Sequence, residues 1–216
     1  MLAQVKRYPL LSKMVYSKIL FAVFIISLVW TIAIFLAPAT LPPGEVTGLS
    51  GLANQVDYAD RWAELPLPQA IVYYIGDAEC HQIQERSYNI AGNQMPVCAR
   101  DVGIFVFATL GLLGAMIARR GPTASRMLVN LFPAKAATFI RERLGEFRFL
   151  ILVLAVFLVP IALDGGIQLL TEYESTNPMR LLTGSLAGWI GGFLFGALLI
   201  STKVVTSSVR EFATSG

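Results

Sequence analysis

The chain has 216 residues, of which 55% are hydrophobic and 14% are charged, with a formal net charge of +3. Soluble domains carry roughly 25% charged residues, so this composition excludes an ordinary soluble domain and favours a bilayer as the solvent. The basic residues flank apolar segments and form no stripe interleaved with aromatic residues, which argues against nucleic-acid binding.

Four segments are long and apolar enough to cross a bilayer, which takes roughly 20 residues at about 1.5 Å per residue. Spans 1 to 4 are predicted at residues 19–37, 102–118, 149–170 and 181–201. Span 1 ends in a small-residue sequence that resembles a signal-peptide cleavage site, but its apolar core is longer than the usual length of roughly 7–15 residues. We therefore predict an all-α integral membrane protein with four transmembrane helices.

The distribution of Lys and Arg predicts the side that each connection faces. Residues 1–18, 119–148 and 202–216 carry 13 of the 17 basic residues, whereas residues 38–101 and 171–180 carry the other four. An excess of Lys and Arg marks the cytoplasmic side of a membrane. We expect a plasma-membrane protein with cytoplasmic N- and C-termini and with both remaining loops outside.

The two long connections differ in their patterns. Residues 39–66 are rich in Pro, Gly and small polar residues, as in an irregular loop, and residues 67–79 predict a short helix or interfacial segment leading to Cys80. Residues 119–148 alternate apolar and basic positions around Pro133, which predicts one or two amphipathic helices on an anionic leaflet. The fold thus adds an outer loop subdomain and a basic amphipathic inner connection to the four spans.

In span 4 a glycine recurs at every fourth position, which aligns four glycines on one helix face that another helix can approach closely. These are Gly184, Gly188, Gly192 and Gly196. Packing within the bundle is the favoured interpretation of this face. The alternative is contact with a membrane protein partner or with a second copy in a homodimer.

The reactive side chains concentrate at the end of the outer loop. Cys80, His81, Cys98 and Asp101 offer sulfur, nitrogen and oxygen donors to a metal such as zinc. The Cys98-x-x-Asp101 spacing can bring two ligands to one ion at a helix start, whereas the adjacent Cys80 and His81 reach one ion only across a turn. A disulfide between Cys80 and Cys98 on the oxidising side, worth about 3 kcal/mol, is an alternative. Free or redox-active thiols are the third interpretation.

A second polar group is expected at the same level of the membrane. Asp164 lies sixteen residues after Arg148, about 24 Å along a core of about 30 Å, and therefore near the outer edge of span 3. Gln168 follows one turn later on the same helix face. An ionisable residue within a span indicates function by default and is expected to have a partner. Pairing with Arg100 or Arg180 is the structural alternative.

The chemistry of these residues suggests two kinds of role. His81, Asp164 and Glu174 are candidates for moving protons. The candidates for binding a phosphate or carboxylate group are Arg86, Arg100, Arg180, Gln168 and Asn177. The alternative for the arginines is structural neutralisation of nearby acids, since the numbers of acids and bases nearly match.

Two sequence blocks, residues 80–105 and residues 162–188, carry a resemblance to a known family. They read CHQIQERSYNIAGNQMPVCARDVGIF and ALDGGIQLLTEYESTNPMRLLTGSLAG. They resemble a family of small multi-pass predicted membrane proteins of unknown function in bacteria and archaea, over roughly residues 70–200. The resemblance implies a shared site but no established reaction. Its marked residues here are Cys80, His81, Arg86, Ser87, Cys98, Arg100, Gly103, Asp164, Gln168, Glu174, Ser175, Arg180, Thr183 and Gly184.

One position departs from the pattern of that family. The family usually has Cys-Ala-Arg-Cys in the first block, whereas this chain has Asp101 in place of the last cysteine. The third cysteine of the relatives favours metal binding. The acid in this chain counts against a conventional structural zinc site.

Two classes of function fit these features, and the enzymatic one is narrowly favoured. In the first, a membrane-embedded enzyme acts at an outward-facing polar site on a lipid-linked or small anionic substrate. In the second, a non-catalytic membrane subunit or assembly factor uses Cys80 and Cys98 as a structural disulfide. A carrier or channel is disfavoured because Asp164 is the only ionisable residue within a predicted span, which leaves no polar path across the bilayer.

Overall fold

The computed structural model describes residues 18–214, with side chains described as far as Ser201. Eight α-helices are found there: α1 (Lys18–Ala39), α2 (Ala59–Ala63), α3 (Leu67–Glu79), α4 (Ala99–Ile117), α5 (Ala124–Val129), α6 (Ala134–Arg143), α7 (Glu146–Leu170) and α8 (Asn177–Thr214). A 3-10 turn at Gln84–Arg86 and a hairpin of β1 (Asn89–Ile90) and β2 (Asn93–Gln94) lie between α3 and α4. Most of the predicted N-terminal segment 1–18 and the side chains of the predicted tail 202–216 lie outside the described residues.

Four of these helices are long and apolar enough to cross a membrane: α1, α4, α7 and the Asn177–Ser201 part of α8. The predicted all-α architecture with four transmembrane helices is confirmed. Helix α4 begins before the apolar segment because Cys98 adopts an extended N-cap conformation and Asp101 occupies the first turn. An acid in the first turn is favoured by the helix dipole. The apolar pattern therefore marks the part of a helix that can cross the membrane better than it marks the helix ends.

Helices α4 and α8 form the tightly packed centre of the bundle. A Cβ atom at Gly184, Gly188 or Gly192 would overlap the backbone of Arg100, Ile104 or Ala108, respectively. Gly103 and Gly111 of α4 lie equally close to the α8 backbone. Glycines on both helices thus permit direct contact of the two backbones. The glycine face of span 4 packs inside this chain, as favoured above, and is not free to bind a partner or a second copy.

Helix α1 packs mainly against α4 and helix α7 against α8, and both keep most of their apolar side chains exposed. Helix α1 is joined to α4 by a hydrogen bond of 2.6 Å between the hydroxyls of Ser27 and Thr109. In helix α7, which is fully described, Asp164 is the only buried residue. Apolar surfaces of this extent must be covered by lipid or by another protein.

The subdomain of residues 40–98, named the outer subdomain after its predicted side, has a small core of its own. Trp62 and Tyr73 stack with ring centroids 5.0 Å apart, and both are almost completely buried. Asp77 at the end of α3 accepts hydrogen bonds from the Trp62 indole at 2.8 Å and the Tyr58 backbone at 2.9 Å. The helical prediction for residues 67–79 is confirmed by α3, whereas α2 is a short helix within a segment predicted to be irregular.

The rest of this subdomain has little regular secondary structure. Buried amide side chains bond its loop backbone in place of helix or sheet hydrogen bonds. Asn93 accepts from the Val46 backbone N–H at 3.0 Å and donates to the carbonyl oxygens of Pro38 and Pro42, both at 3.0 Å. Gln94 accepts from the backbone N–H of Leu49 at 3.1 Å. Such bonds satisfy loop backbone groups that would otherwise be buried without a partner.

The connection predicted to lie inside forms the two short helices α5 and α6, with Pro133 at the N-cap of α6. Glu146 at the start of α7 accepts from Arg126 and Arg141, each at 3.0 Å. These ion pairs attach both short helices to the start of α7, so the predicted amphipathic connection is packed against that helix.

Candidate functional site

Cys80, His81 and Cys98 come together at the junction between the outer subdomain and the membrane helices. Cys80 follows α3 directly, and Cys98 immediately precedes α4. Both cysteines are buried, His81 is half-buried, and one candidate ligand atom from each of the three lies within 4.8 Å of the others. This group is close enough to allow metal binding, since ligand atoms around a tetrahedral zinc ion are about 3.5 Å apart.

A turn after His81 makes this arrangement possible, as the adjacent positions of Cys80 and His81 require. Gln82 has φ = 47°, in the left-handed region, where a residue with a side chain is uncommon. The His81 Nδ1 atom accepts the Ile83 backbone N–H at 3.0 Å. A neutral imidazole that accepts at Nδ1 carries its proton on Nε2.

The two cysteines are free thiols in the structure, and their environments differ. The Cys98 backbone N–H donates to Cys80 Sγ at 3.2 Å. A side-chain hydrogen bond from Cys80, helped by His81, lowers the pKa of the Cys98 thiol despite its burial. The hydrogen bond with Cys98 and the burial of Cys80 raise the pKa of the Cys80 thiol. The interaction between the two thiols therefore favours ionisation of one sulfur at the expense of the other.

Asp101 joins this group through Cys98. Its Oδ2 atom is 3.2 Å from Cys98 Sγ, one helical turn away. A contact of this length between two acidic groups needs a shared proton, or a cation in its place. Of the four predicted metal ligands, three are thus mutually close, and Asp101 contacts one of them.

A second cluster links the two loops that are predicted to lie outside. The exposed Glu174 carboxylate accepts from Arg86 at 2.5 Å and from Arg180 at 2.9 Å. With its amide group turned to satisfy both neighbours, Gln168 accepts from Arg86 at 2.9 Å and from Arg180 at 3.1 Å. Although desolvation opposes ionisation, the bonds and charges of these two arginines lower the pKa of Glu174. Asn177 lies at the edge of this cluster, where it accepts from Arg180 at 3.3 Å.

Arg100 and Asp164 form an ion pair of 2.5 Å between α4 and α7. The Asp164 side chain is only 5% exposed and also accepts from the Tyr173 hydroxyl at 3.4 Å. The Arg100 Nε atom is buried without a hydrogen-bond partner among the described residues. Because Arg100 lies between Cys98 and Asp101 in sequence, the cysteine group and the ion pair share the first turn of α4.

The predicted site residues therefore form three connected sets, and each predicted arginine bonds to an acid. The sequence did not single out Tyr173 or the buried amides Gln82, Asn93 and Gln94. Gln82 donates to the Pro96 carbonyl oxygen at 2.7 Å, which fixes the turn beside the cysteines. The sequence does show several Asn and Gln residues close together between the two cysteines. Exposed loops are equally rich in these residues, so the pattern does not indicate that the amides are buried.

Comparison with known proteins agrees with this picture of a membrane protein. The family described as "Predicted membrane protein (DUF2085)" matches residues 80–196, a range that begins at Cys80 and includes all three sets. An uncharacterized protein of Methanocaldococcus jannaschii, MJ1492, is 29% identical over 172 residues, covering 77% of this chain and 83% of that protein.

A second archaeal relative is an uncharacterized protein of Methanothermobacter thermautotrophicus, 31% identical over 126 residues, or 58% of this chain and 86% of its own. No solved structure matches the chain. Since the family match spans more than half of the sequence and confirms the resemblance of its two motif blocks, the chain belongs to the DUF2085 family of predicted membrane proteins.

Proposed function

We propose that the protein binds zinc at its outer membrane boundary and that the metal fastens the outer subdomain to the start of α4. The observation that carries this proposal is the mutual approach, within 4.8 Å, of ligand atoms from Cys80, His81 and Cys98. Asp101, 3.2 Å from Cys98, supplies a fourth donor. Zinc prefers such sulfur and nitrogen ligands in tetrahedral sites.

Metal binding would redistribute the protons of this group. Both thiols would bind as thiolates, and zinc would replace the proton shared by Cys98 and Asp101. If His81 binds through Nε2, its proton moves to Nδ1 and the bond from the Ile83 N–H is lost. The chain on either side of Gln82 therefore adjusts when the metal binds.

A non-catalytic role as a membrane subunit or assembly factor has the better support. With four protein ligands, a zinc site is closed and structural. Asp164 and Glu174, the carboxylates considered for proton transfer, are both held by arginines. A carboxylate stabilised in its ionised form by Arg is poorly suited to general acid catalysis at neutral pH.

An enzymatic role on a small anionic or lipid-linked substrate is the second candidate, and one observation favours it. The mutually close group contains three residues, because Asp101 contacts only Cys98 among them. Three protein ligands leave a position for a water molecule, which zinc activates for nucleophilic attack. In that case Asp101 is the nearest group able to move a proton, because Cys80, His81 and Cys98 are all metal ligands.

Metal analysis combined with thiol titration tests the zinc proposal. We expect one zinc ion per purified chain, with two thiols that become reactive under denaturing conditions only after chelation. Cys98→Ala should lose the metal, whereas the control Asp60→Asn, an exposed acid of the outer subdomain, should retain it. Two thiols without metal would overturn the proposal. So would a metal-free chain whose thiols titrate only after reduction, which would establish the disulfide instead.

Asp101→Asn separates the structural role from the catalytic one. If Asp101 completes a closed site, this substitution should weaken zinc binding at least tenfold. If Asp101 is instead a proton-transfer group beside zinc-bound water, zinc should remain at full occupancy. X-ray absorption at the zinc edge distinguishes four protein ligands from three ligands and a water molecule.

The proposal includes an orientation: a plasma-membrane protein with both termini in the cytoplasm and the cysteine group outside. It rests on the excess of Lys and Arg in the predicted inner segments. Single cysteines at the exposed positions Glu64 and Lys135 test it, because Cys80 and Cys98 are buried. A membrane-impermeant maleimide should label Glu64→Cys in intact cells and Lys135→Cys only in broken cells. Labelling of both in intact cells would contradict the orientation.

Any protein partner would use a surface other than the glycine face of α8. The exposed apolar side of α7 offers such a surface, with Ile151, Leu163 and Ile167 among its side chains. A subunit role predicts a partner that copurifies in mild detergent and is lost after Leu163→Lys. A monomer without a bound partner after mild solubilisation would contradict that role.

A further inference from the structure

An apolar cleft of about 550 Å³ opens between α4, α7 and α8 on the side of the bundle. Phe107, Phe157 and Trp189 contribute one aromatic wall from each of these helices. Among its lining residues, Phe107 is 36% exposed and Leu182 is 54% exposed, so the cleft opens laterally from the bundle. A lateral opening between transmembrane helices faces hydrocarbon chains and not water.

The outer end of the cleft lies beside the chain positions of Arg86 and Arg180. Its lining includes Tyr88, two residues after Arg86, and Leu181, directly after Arg180. Phe157 and Phe107 lie seven residues inward of Asp164 and Arg100, respectively, about 10 Å along their helices. A ligand with a polar end at the arginines and an apolar tail about this long or longer would fit along the cleft.

The ion pairs at this end contain more guanidinium groups than carboxylates. Three guanidinium groups, those of Arg86, Arg100 and Arg180, face two carboxylates, those of Asp164 and Glu174. The Arg100–Asp164 pair is buried, whereas the Glu174 side chain is 62% exposed and lies on the last outer loop. Glu174 is therefore an anion that two arginines hold and that solvent can reach.

We propose that the cleft binds one anionic phospholipid, whose acyl chain occupies the apolar groove and whose phosphate replaces the Glu174 carboxylate on Arg86 and Arg180. Guanidinium groups bind phosphate through paired hydrogen bonds, as they bind carboxylate. Arg180 is almost completely buried beside Glu174, with 4% of its side chain exposed. A buried guanidinium with one exposed, replaceable carboxylate is complementary to a phosphate that arrives from the membrane surface.

Glu174 acts in this proposal as an internal competitor for the lipid phosphate. Its removal leaves Arg86 and Arg180 with no carboxylate partner among their described ion pairs. Gln168 can bond both arginines and keeps them aligned when Glu174 is absent. The proposal does not depend on zinc, because none of the cleft residues belongs to the cysteine group.

Native mass spectrometry of the full chain, purified in mild detergent and mixed with phosphatidylglycerol or phosphatidylcholine, tests the proposal. We expect one phosphatidylglycerol molecule to bind at least tenfold more tightly than phosphatidylcholine. Glu174→Gln should increase phosphatidylglycerol affinity severalfold, and Arg86→Gln should decrease it at least tenfold. Equal binding of the two lipids, or weaker phosphatidylglycerol binding by Glu174→Gln, would overturn the proposal.

Two further variants separate the groove from the charge. Leu182→Trp, at an exposed position of the groove, should reduce phosphatidylglycerol binding with little change in thermal midpoint. Arg61→Gln is the control, since Arg61 donates to backbone oxygens of the outer subdomain and not to Glu174. Glycerol phosphate should compete weakly, because it lacks the acyl chain. Competition by glycerol phosphate as strong as that by the lipid would overturn the role of the groove.

Discussion

The two ends of the bundle use the same residue types in opposite ways. At the predicted outer end, the side chains of Asp164 and Arg180 are 5% and 4% exposed. At the predicted inner end, Arg126 and Arg141 are 50% and 39% exposed around Glu146. Arginine–carboxylate pairing alone therefore does not identify a site. The burial of one partner distinguishes the outer pairs from an ordinary solvated connection.

This difference has an energetic consequence. A buried ion pair contributes little beyond a well-packed apolar pair, but loss of one partner leaves an unpaired charge in a medium of low dielectric constant. An exposed pair has water as an alternative partner and contributes roughly 0–1 kcal/mol. The same substitution should accordingly cost more stability at the outer end than at the inner end.

The largest effect is expected at Arg100. Arg100→Gln leaves the buried Asp164 carboxylate without its guanidinium partner, which should cost about 3–5 kcal/mol, or roughly 6–20 °C in thermal midpoint. Fluorescence-monitored unfolding in detergent measures this loss. The double variant Arg100→Gln/Asp164→Asn should recover most of the stability, and failure to do so would assign the loss to packing.

A smaller loss is expected at Asn93, whose side chain is completely buried in the outer subdomain. Asn93→Ala leaves the Val46 N–H and the carbonyl oxygens near Pro38 without a partner, at a cost of about 1–3 kcal/mol. Limited proteolysis should detect earlier cleavage in the 40–60 loop. Asn89→Ala is the matched control, because Asn89 is exposed in the same hairpin. Equal sensitivity of the two variants would contradict the assigned role of Asn93.

At the inner end, Arg141→Gln should change the thermal stability by less than about 1 kcal/mol. Arg126 keeps its own bond to Glu146, and water replaces the lost guanidinium. The same unfolding measurement applies as for Arg100→Gln. A loss as large as that of the outer variant would show that exposure does not explain the difference between the ends.

The smallest effect is a dependence on pH at Glu174. Desolvation opposes its ionisation, but Arg86 and Arg180 lower its pKa below the ordinary 4.5, so the stabilisation is present above that value and lost as pH falls through the folded-state pKa. Wild-type protein and Glu174→Gln should differ by no more than about 2 °C in thermal midpoint near neutral pH. That difference should vanish well below pH 4.5. A difference that grows on acidification would contradict the assignment.

The apolar pattern was sufficient to predict the four long helices, because a span needs little more than length and the absence of charge. Their ends required information about capping: Cys98 and Asp101 extend α4 beyond the apolar segment. The inner connection was also predictable, since Pro133 separates two amphipathic stretches that became α5 and α6.

The outer subdomain was much less predictable. Its hairpin turns at Ala91 and Gly92, both with positive φ, and lacks the Asn-Gly sequence that usually indicates such a turn. The sequence brought Cys80 and Cys98 into one hypothesis, but their distance depends on the fold of the 17 residues between them. The pairing of Arg86 with Glu174 joins residues 88 positions apart and follows from helix packing, which no local pattern contains.

The bond from the Asn93 amide to the Pro38 carbonyl oxygen connects residues 55 positions apart. At a synthesis rate of about 5–20 residues per second, the first span is therefore complete for several seconds before the side chain that closes its end exists. During this interval, water must solvate the Pro38 carbonyl oxygen. A nascent chain arrested between residues 40 and 92 would thus expose a first span whose Pro38 carbonyl oxygen has yet to acquire its protein partner.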